Sequence, residues 1–399
     1  MIADTPVLDL DDAAMLEAAD TGGALRSAAS GGAQVRAIAA AVAEGTLARL
    51  DGLQPRSLLL VSGPGRAGRA AGLLVAALGD RAGLPLVPVT TVPSWAGPLD
   101  VVLVSGDDAG DPRLIDAVDR AVRRGAEVIV AAPNEGPLRA AAAGRAAVLE
   151  PRVPVLDANR LLRYLAVGIA VLRTIDPVRS AAGLPDLADL ADVLDTEALR
   201  DGPQHEVFHN PAKNLAVRTQ QRGLILTGDS PATTELAVHA AEVLLQSAGR
   251  TAAAVDLAVA VAALPQLVDT ATAAAPDYDP LFHDEQLDGP PPVEKKRVFL
   301  CSTDSDTAGL RRKLALFGGA GGGTVDADLV TAEIETAPAD PSRAESGEPA
   351  PEPAPRIGGE LERLAVLALR WEMAAAYLRL IGGRAVVAGD PGSYDGGRY

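Results

Sequence analysis

Short apolar runs alternate with amphipathic stretches along most of the chain. The first set of runs is 57–62 (SLLLVS), 84–92 (LPLVPVTTV), 100–105 (DVVLVS), 127–133 (EVIVAAP) and 146–151 (AAVLEP). Most are apolar throughout rather than every second residue, as in strands covered on both faces of a parallel sheet. Between them lie stretches at 66–80, 106–125, 134–144 and 157–175 whose helical character predicts crossover helices. Residues 8–50 read as two helices, the first opened by acids that suit a helix N-terminus.

A second, similar set follows a polar stretch at 176–208. It comprises a helix from 210 with Asn210 as N-cap and Pro211 as first residue, a strand at 223–228 (GLILTG), a helix at 229–249, a strand at 297–303 (RVFLCST) and a capped helix from 304. Residues 251–267 fit strand and helix equally, and 324–335 alternate. Residues 337–356, rich in Pro, Ala and Glu, predict a disordered loop. After them, 358–383 is the longest clean helical pattern. The expected organisation is an N-terminal helical arm (1–50), a first α/β domain (51–175), a connector (176–210), a second α/β domain (211–336), the loop (337–356), and a C-terminal helix and tail (357–399) completing the second domain.

Composition narrows the function classes. The 399 residues carry a net charge of −17, which argues against nucleic acid or an anionic membrane as partner. The lone Cys301 and the four histidines leave no material for a disulfide scaffold or a cysteine-built metal site. No apolar run has the length of a membrane span, and the acidic start MIADTPVLDLDD is unlike a signal peptide, so a cytoplasmic protein is expected. All but four of the 36 basic residues are arginine, which singles out Lys213 as a candidate partner for a phosphate or carboxylate.

Candidate chemistry sits where strands meet helices. Gly63-Pro-Gly65-Arg66-Ala-Gly68 has the spacing of a dinucleotide turn, but the following strand ends in Val89-Thr-Thr-Val92, with no acid for a ribose. The turn can equally be a phosphate cradle or a plain tight turn. Ser105-Gly-Asp107-Asp108-Ala-Gly110-Asp111 also opens a helix, with amides for an anion and carboxylates that would repel it. His205-Glu206 and His209-Asn210 precede a helix and could supply acid–base groups at a domain cleft. Asp277, Asp279, His283 and Glu285 are weak metal candidates in a loop without a fixed face.

Taken in order, the Gly-rich turn, 102–138, 146–172 and 358–383 resemble the bifunctional phosphoglucose/phosphomannose isomerases, built from tandem sugar-isomerase (SIS) domains, and within them a divergent TobH-like branch of GC-rich bacteria. The resemblance covers most of residues 10–390. It implies two tandem SIS-type, flavodoxin-like parallel-sheet domains with helices on both faces, a homodimer, and interconversion of glucose 6-phosphate and mannose 6-phosphate without metal or organic cofactor. It also implies ligand contacts at Gly65, Arg66, Ser105, Asp107 and Gln246, beside Lys213, which the scarcity of lysine alone put forward. Arg66 stands where the family's turn has serine. Of its S-x-S-G-N-T cradle only Ser105 remains, with Asp107 in the third position. Gln246 falls at or next to the family's carboxylate base, and Asp269 falls at the place of its histidine. The tail DPGSYDGGRY lacks its lysine. The expectation is therefore a family member in carbohydrate and mannose metabolism that binds a sugar phosphate or a related carbohydrate derivative, with little or no isomerase activity. One alternative is an active isomerase with a relocated base, Glu206 or His209. Another is a dinucleotide-binding protein using Gly63–Gly68.

Overall fold

The structure, a computed structural model, describes residues 8–79, 81–177, 183–220, 223–272, 295–318, 324–332 and 359–382. The loop at 337–356 and the metal candidates Asp277, Asp279, His283 and Glu285 lie outside these residues. The arm forms three short helices, Ala13–Ala19 (α1), Ala24–Ala29 (α2) and Gly31–Ala43 (α3), rather than the two expected. The added helix is α2, opened by Gly23 at φ +64° and by the Asp20 carboxylate, which accepts the amides of Ala24 and Leu25.

The first unit follows as Ser57–Ser62 (β1), Arg66–Leu78 (α4), Leu86–Val89 (β2), Asp100–Ser105 (β3), Pro112–Arg123 (α5), Glu127–Ala131 (β4), Gly136–Ala142 (α6), Ala147–Val148 (β5) and Leu161–Ile175 (α7). Its sheet is parallel, in the order β2-β1-β3-β4-β5. The connector contains a 14-residue helix, Leu187–Arg200 (α8), capped by Asp186. Its outward Asp189, Asp192 and Asp195 hide a stripe of Leu187, Leu190, Ala191 and Leu194, all buried.

The second unit comprises Pro211–Arg218 (α9), Gly223–Gly228 (β6), Pro231–Ala248 (α10), Ala252–Asp256 (β7), Leu257–Ala262 (α11), Leu264–Thr272 (α12), Lys296–Ser302 (β8), Thr307–Ala315 (α13), Val325–Thr331 (β9) and Glu360–Ile381 (α14). The sheet is again parallel, in the order β7-β6-β8-β9. Residues 251–267 divide into the strand β7 and two helices. Asp256 makes the division by capping α11 through the Val259 amide at 2.8 Å.

Strand alternation sorts the cores. Leu58 and Leu60 of β1 share one continuous core with Leu224 and Leu226 of β6 and Phe299 of β8, whereas Leu59 and Val61 face a separate layer under α5 and α6. The helix α14 belongs to the shared core rather than to the second unit alone. It packs on α2, α7, α8, α9 and α10 and is buried nearly all round, with Trp371 edge-on to Phe299 at 5.4 Å. Its one arginine inside this core, Arg370, donates Nε to Glu197 at 2.7 Å and Nη1 to the Thr331 carbonyl at 2.8 Å. The two units are thus joined by packing that includes α4 against α10.

Candidate functional site

In an open parallel sheet the ligand crevice lies beyond the carboxyl ends of the two strands where the order reverses. In the first unit these are β1 and β3, whose final residues Ser62 and Ser105 are register partners. Gly65, at φ +83°, turns the chain into α4. A Cβ on Gly68 would lie 3.2 Å from the Gly63 carbonyl oxygen. Turn conformation and helix–strand packing therefore account for the glycine spacing without a dinucleotide. A small cavity behind the strand ends is lined by Ser62, Ser105, Ala67, Tyr164 and Gly168 among others, none of them Lys, His or Glu. Ser105 is 6% exposed.

The loop after β3 handles its three carboxylates differently. Asp108 accepts the Gly110 amide at 2.7 Å, and Asp111 caps α5 and pairs with Arg113. Only Asp107 reaches across to α7. Its Oδ1 accepts from the Tyr164 hydroxyl at 2.5 Å and from Arg160 Nη1 at 2.9 Å. Burial and the Asp107 charge raise the Tyr164 phenol far above its ordinary range, so it stays protonated and donates. Neither Arg160 nor Tyr164 was singled out from the sequence, because both sit in an apolar helical run 50 or more residues after Asp107.

Arg66, expected to face a phosphate, is 3% exposed and points instead into the second unit. Nη1 donates to Glu242 Oε2 at 2.7 Å and lies 3.2 Å from His239 Nδ1, while Nη2 donates to Gln246 Oε1 at 2.6 Å. Gln246 is therefore brought to Arg66. Lys213 is also committed: buried, it donates Nζ to the carbonyls of Pro203 at 2.8 Å and His205 at 2.7 Å, above the Tyr377 ring. Burial lowers its pKa. Replacing Lys213 by methionine should lower stability by about 2 kcal/mol by stranding these carbonyls, with hexose-phosphate affinity unchanged. Weakened binding at unchanged stability in a calorimetric titration would return Lys213 to the ligand. Glu206 and His209 are exposed around a single 3-10 turn held to the arm through Asp11, which accepts the Val207 amide at 2.7 Å. Asp269 is exposed on α12.

The sequence reading missed one carboxylate–imidazole pair. His239 Nε2 lies 3.1 Å from Glu372 Oε1, and Glu372 Oε2 accepts from Asn159 Nδ2 at 3.0 Å. A guanidinium cannot accept, so the ring nitrogen facing Arg66, Nδ1, carries the lone pair, and the ring proton sits on Nε2, aimed at Glu372. Burial, with the Arg66 and Arg69 charges, holds His239 well below its ordinary range and therefore neutral. Burial pushes the Glu372 carboxyl up to about 8, against the pull of Asn159 and Arg66. The pair has the groups a proton shuttle uses, yet the side chains are 0% and 1% exposed. The one available signal was a single acid inside the apolar run Trp371–Tyr377.

The second unit's switch point, between β6 and β8, also carries its own carboxylate. Asp229 accepts from Ser302 Oγ at 2.6 Å and Lys313 Nζ at 2.7 Å, just before the Ser230 cap of α10. An open cleft of about 970 Å³ adjoins it between Pro231, Leu257, Val261 and Leu316. Its acids are engaged: Asp229 with Lys313, Glu235 with Arg69, and Asp256 as a cap. Among the described residues no cluster of His, Cys, Asp and Glu could hold a metal, and no helix is long and apolar enough to cross a membrane.

No family model and no curated protein matches the sequence. Solved structures do match along nearly the whole chain. Tagatose-6-phosphate ketose/aldose isomerase from Escherichia coli superposes with a TM-score of 0.54 at 13% identity, over 91% of this chain and 94% of that one. The C-terminal domain of glucosamine-fructose-6-phosphate aminotransferase from Francisella tularensis gives 0.55 at 10%, over 90% and 96%. A protein of Silicibacter pomeroyi assigned as a phosphosugar isomerase gives 0.52 at 16%, over 89% and 96%. The two parallel sheets of five and four strands are thus those of tandem SIS-type domains, the architecture of the solved phosphosugar isomerases.

Proposed function

We propose that this chain binds a sugar phosphate, or a closely related carbohydrate derivative, in the crevice beyond β1 and β3, and that it has little or no aldose–ketose isomerase activity. Glucose 6-phosphate and mannose 6-phosphate are the first ligands to try, and a cytoplasmic homodimer is the expected form. The observation carrying this reading is the content of the crevice. Ser62 and Ser105 stand as register partners at the strand ends beside the Gly65 turn, where hydroxyls and amides suit a phosphate. Isomerisation also needs a group that moves a proton between adjacent carbons. The Glu372–His239 pair is sealed in the core, and Glu206 and His209 lie on a turn tied to the arm.

Two measurements on the purified chain test both halves. Glucose 6-phosphate should raise the melting temperature where glucose does not. A coupled assay for fructose 6-phosphate should stay at background. Turnover in that assay that vanishes in Glu206→Gln or His209→Ala would establish the relocated-base alternative. A melting shift with NAD and none with any hexose phosphate would favour the dinucleotide reading.

A further inference from the structure

Beside the crevice an anion is already in place, supplied by the chain itself. Asp107 lies two residues beyond Ser105, a buried residue that lines the cavity. Its carboxylate is gripped by Arg160 at 2.9 Å and Tyr164 at 2.5 Å, and Tyr164 lines the same cavity. A second charge positions the arginine: Arg160 Nη2 is held by Asp157 at 2.7 Å. The other arginines nearby are engaged elsewhere. Arg163 donates to the Leu149 carbonyl at 2.7 Å and lies over the Tyr164 ring, and Arg66 faces α10. Arg160 and Asp107 are 29% and 31% exposed, so solvent reaches both, and a pair of this kind is held weakly enough to open.

We infer that Arg160 is the charged residue that receives the ligand's phosphate monoester, and that Asp107 is a built-in competitor for it. This rests on the sugar-phosphate reading of the same crevice. A phosphate dianion presents three oxygens to a planar guanidinium and can be held bidentately. To enter it must displace the Asp107 carboxylate from Arg160, and that carboxylate then remains close enough to repel it. Asp107 thus sets the affinity of the site. Neutralising it should tighten binding, the reverse of what removing a binding residue does.

Calorimetric titration of glucose 6-phosphate, inorganic phosphate and glucose into the full chain and three variants tests the assignment. Asp107→Asn keeps an acceptor for Tyr164 and releases Arg160; it should bind glucose 6-phosphate and inorganic phosphate about tenfold tighter or better, and glucose no better. Asp107→Ser should behave alike, which guards against one variant misfolding. Arg160→Gln should weaken phosphate binding about tenfold, and adding Asp107→Asn to it should restore little. Wild-type binding that neither Asp107 variant tightens, with melting temperatures unchanged, overturns the role of Asp107 and leaves the sugar-phosphate reading standing. Binding unaffected by Arg160→Gln overturns the role of Arg160. Absence of hexose-phosphate binding in every variant removes the sugar-phosphate reading and this inference with it.

Discussion

Replacing Glu242 by alanine should lower the free energy of unfolding by about 4 kcal/mol, more than replacing its partner Arg66 by methionine. Glu242 bridges two arginines of α4, accepting Arg66 Nη1 at 2.7 Å on one oxygen and Arg69 Nη2 at 2.7 Å on the other. Arg66 is 3% exposed and Glu242 36%, so the two removals are unequal. Without Glu242, a guanidinium is stranded in the seam between the units, with a neutral imidazole and Gln246 as remaining partners. Without Arg66, the carboxylate keeps Arg69 and some solvent, and the methionine side chain fills part of the space. The double variant Arg66→Met, Glu242→Ala should therefore be more stable than Glu242→Ala alone. Urea unfolding of the three proteins decides the matter. Equal losses for the two single variants, adding in the double, would mean that Arg66 is not charged and enclosed as described. Hexose-phosphate affinity should be the same in Arg66→Met as in the wild type, since its guanidinium serves the seam and not the crevice.

The second large effect is a loss of stability with rising pH, traced to Glu372. Its ordinary value is 4.5 and burial raises it to about 8, so between those values the folded chain holds a proton that the unfolded chain has released. Stability from this group is complete below 4.5 and is lost as pH rises to about 8, at about 1.4 kcal/mol per pH unit and about 5 kcal/mol in all. His239 acts with the opposite sign. Held neutral when folded, it destabilises the protein below its unfolded value of 6.5, where only the unfolded chain takes up the proton. The two slopes oppose each other from 4.5 to 6.5. From 6.5 to 8 the Glu372 slope is unopposed by the histidine and costs about 2 kcal/mol. Asp201, raised by burial and the neighbouring Glu197 charge to about 7, adds a fall of its own at the lower end of this range. The comparison must accordingly be made between proteins. Unfolding free energies at pH 6.5 and 8.0 should differ by about 2 kcal/mol more in the wild type than in Glu372→Gln, whatever the variant's absolute stability. Equal differences would show that Glu372 does not exchange a proton in this range.

The regular elements were legible in the chain, and for one reason. β1, β3 and β6 coincide with the apolar runs 57–62, 100–105 and 223–228, because strands covered on both faces have little room for polar residues. Caps were equally plain: Asn210 and Asp111 each accept an amide of the helix they open. The failures are physical too. β7 is an edge strand made largely of alanine, partly exposed, with no periodicity to read. The helix α8 was masked by its acidic outer face, and α14 carries so broad an apolar surface that its pattern could not say which unit it joins.

What the sequence by itself determined is the count and kind of the layers, the tandem order of the two units, and the two Gly- and Ser-bearing turns at which a ligand crevice could form. Those follow from local rules: propensity, capping, and the number of faces a strand must bury. Only the tertiary structure decided the partner of each charge. Arg66 and Glu242 are separated by 176 residues, His239 and Glu372 by 133, and Asp107 and Tyr164 by 57. An ionic or hydrogen-bonded partner is selected by proximity and burial in three dimensions, and spacing along the chain carries no information about either once the separation exceeds a helix. That is why an arginine placed for a phosphate came to seal the seam between the units, while the arginine at the crevice lay unnoticed at the start of α7.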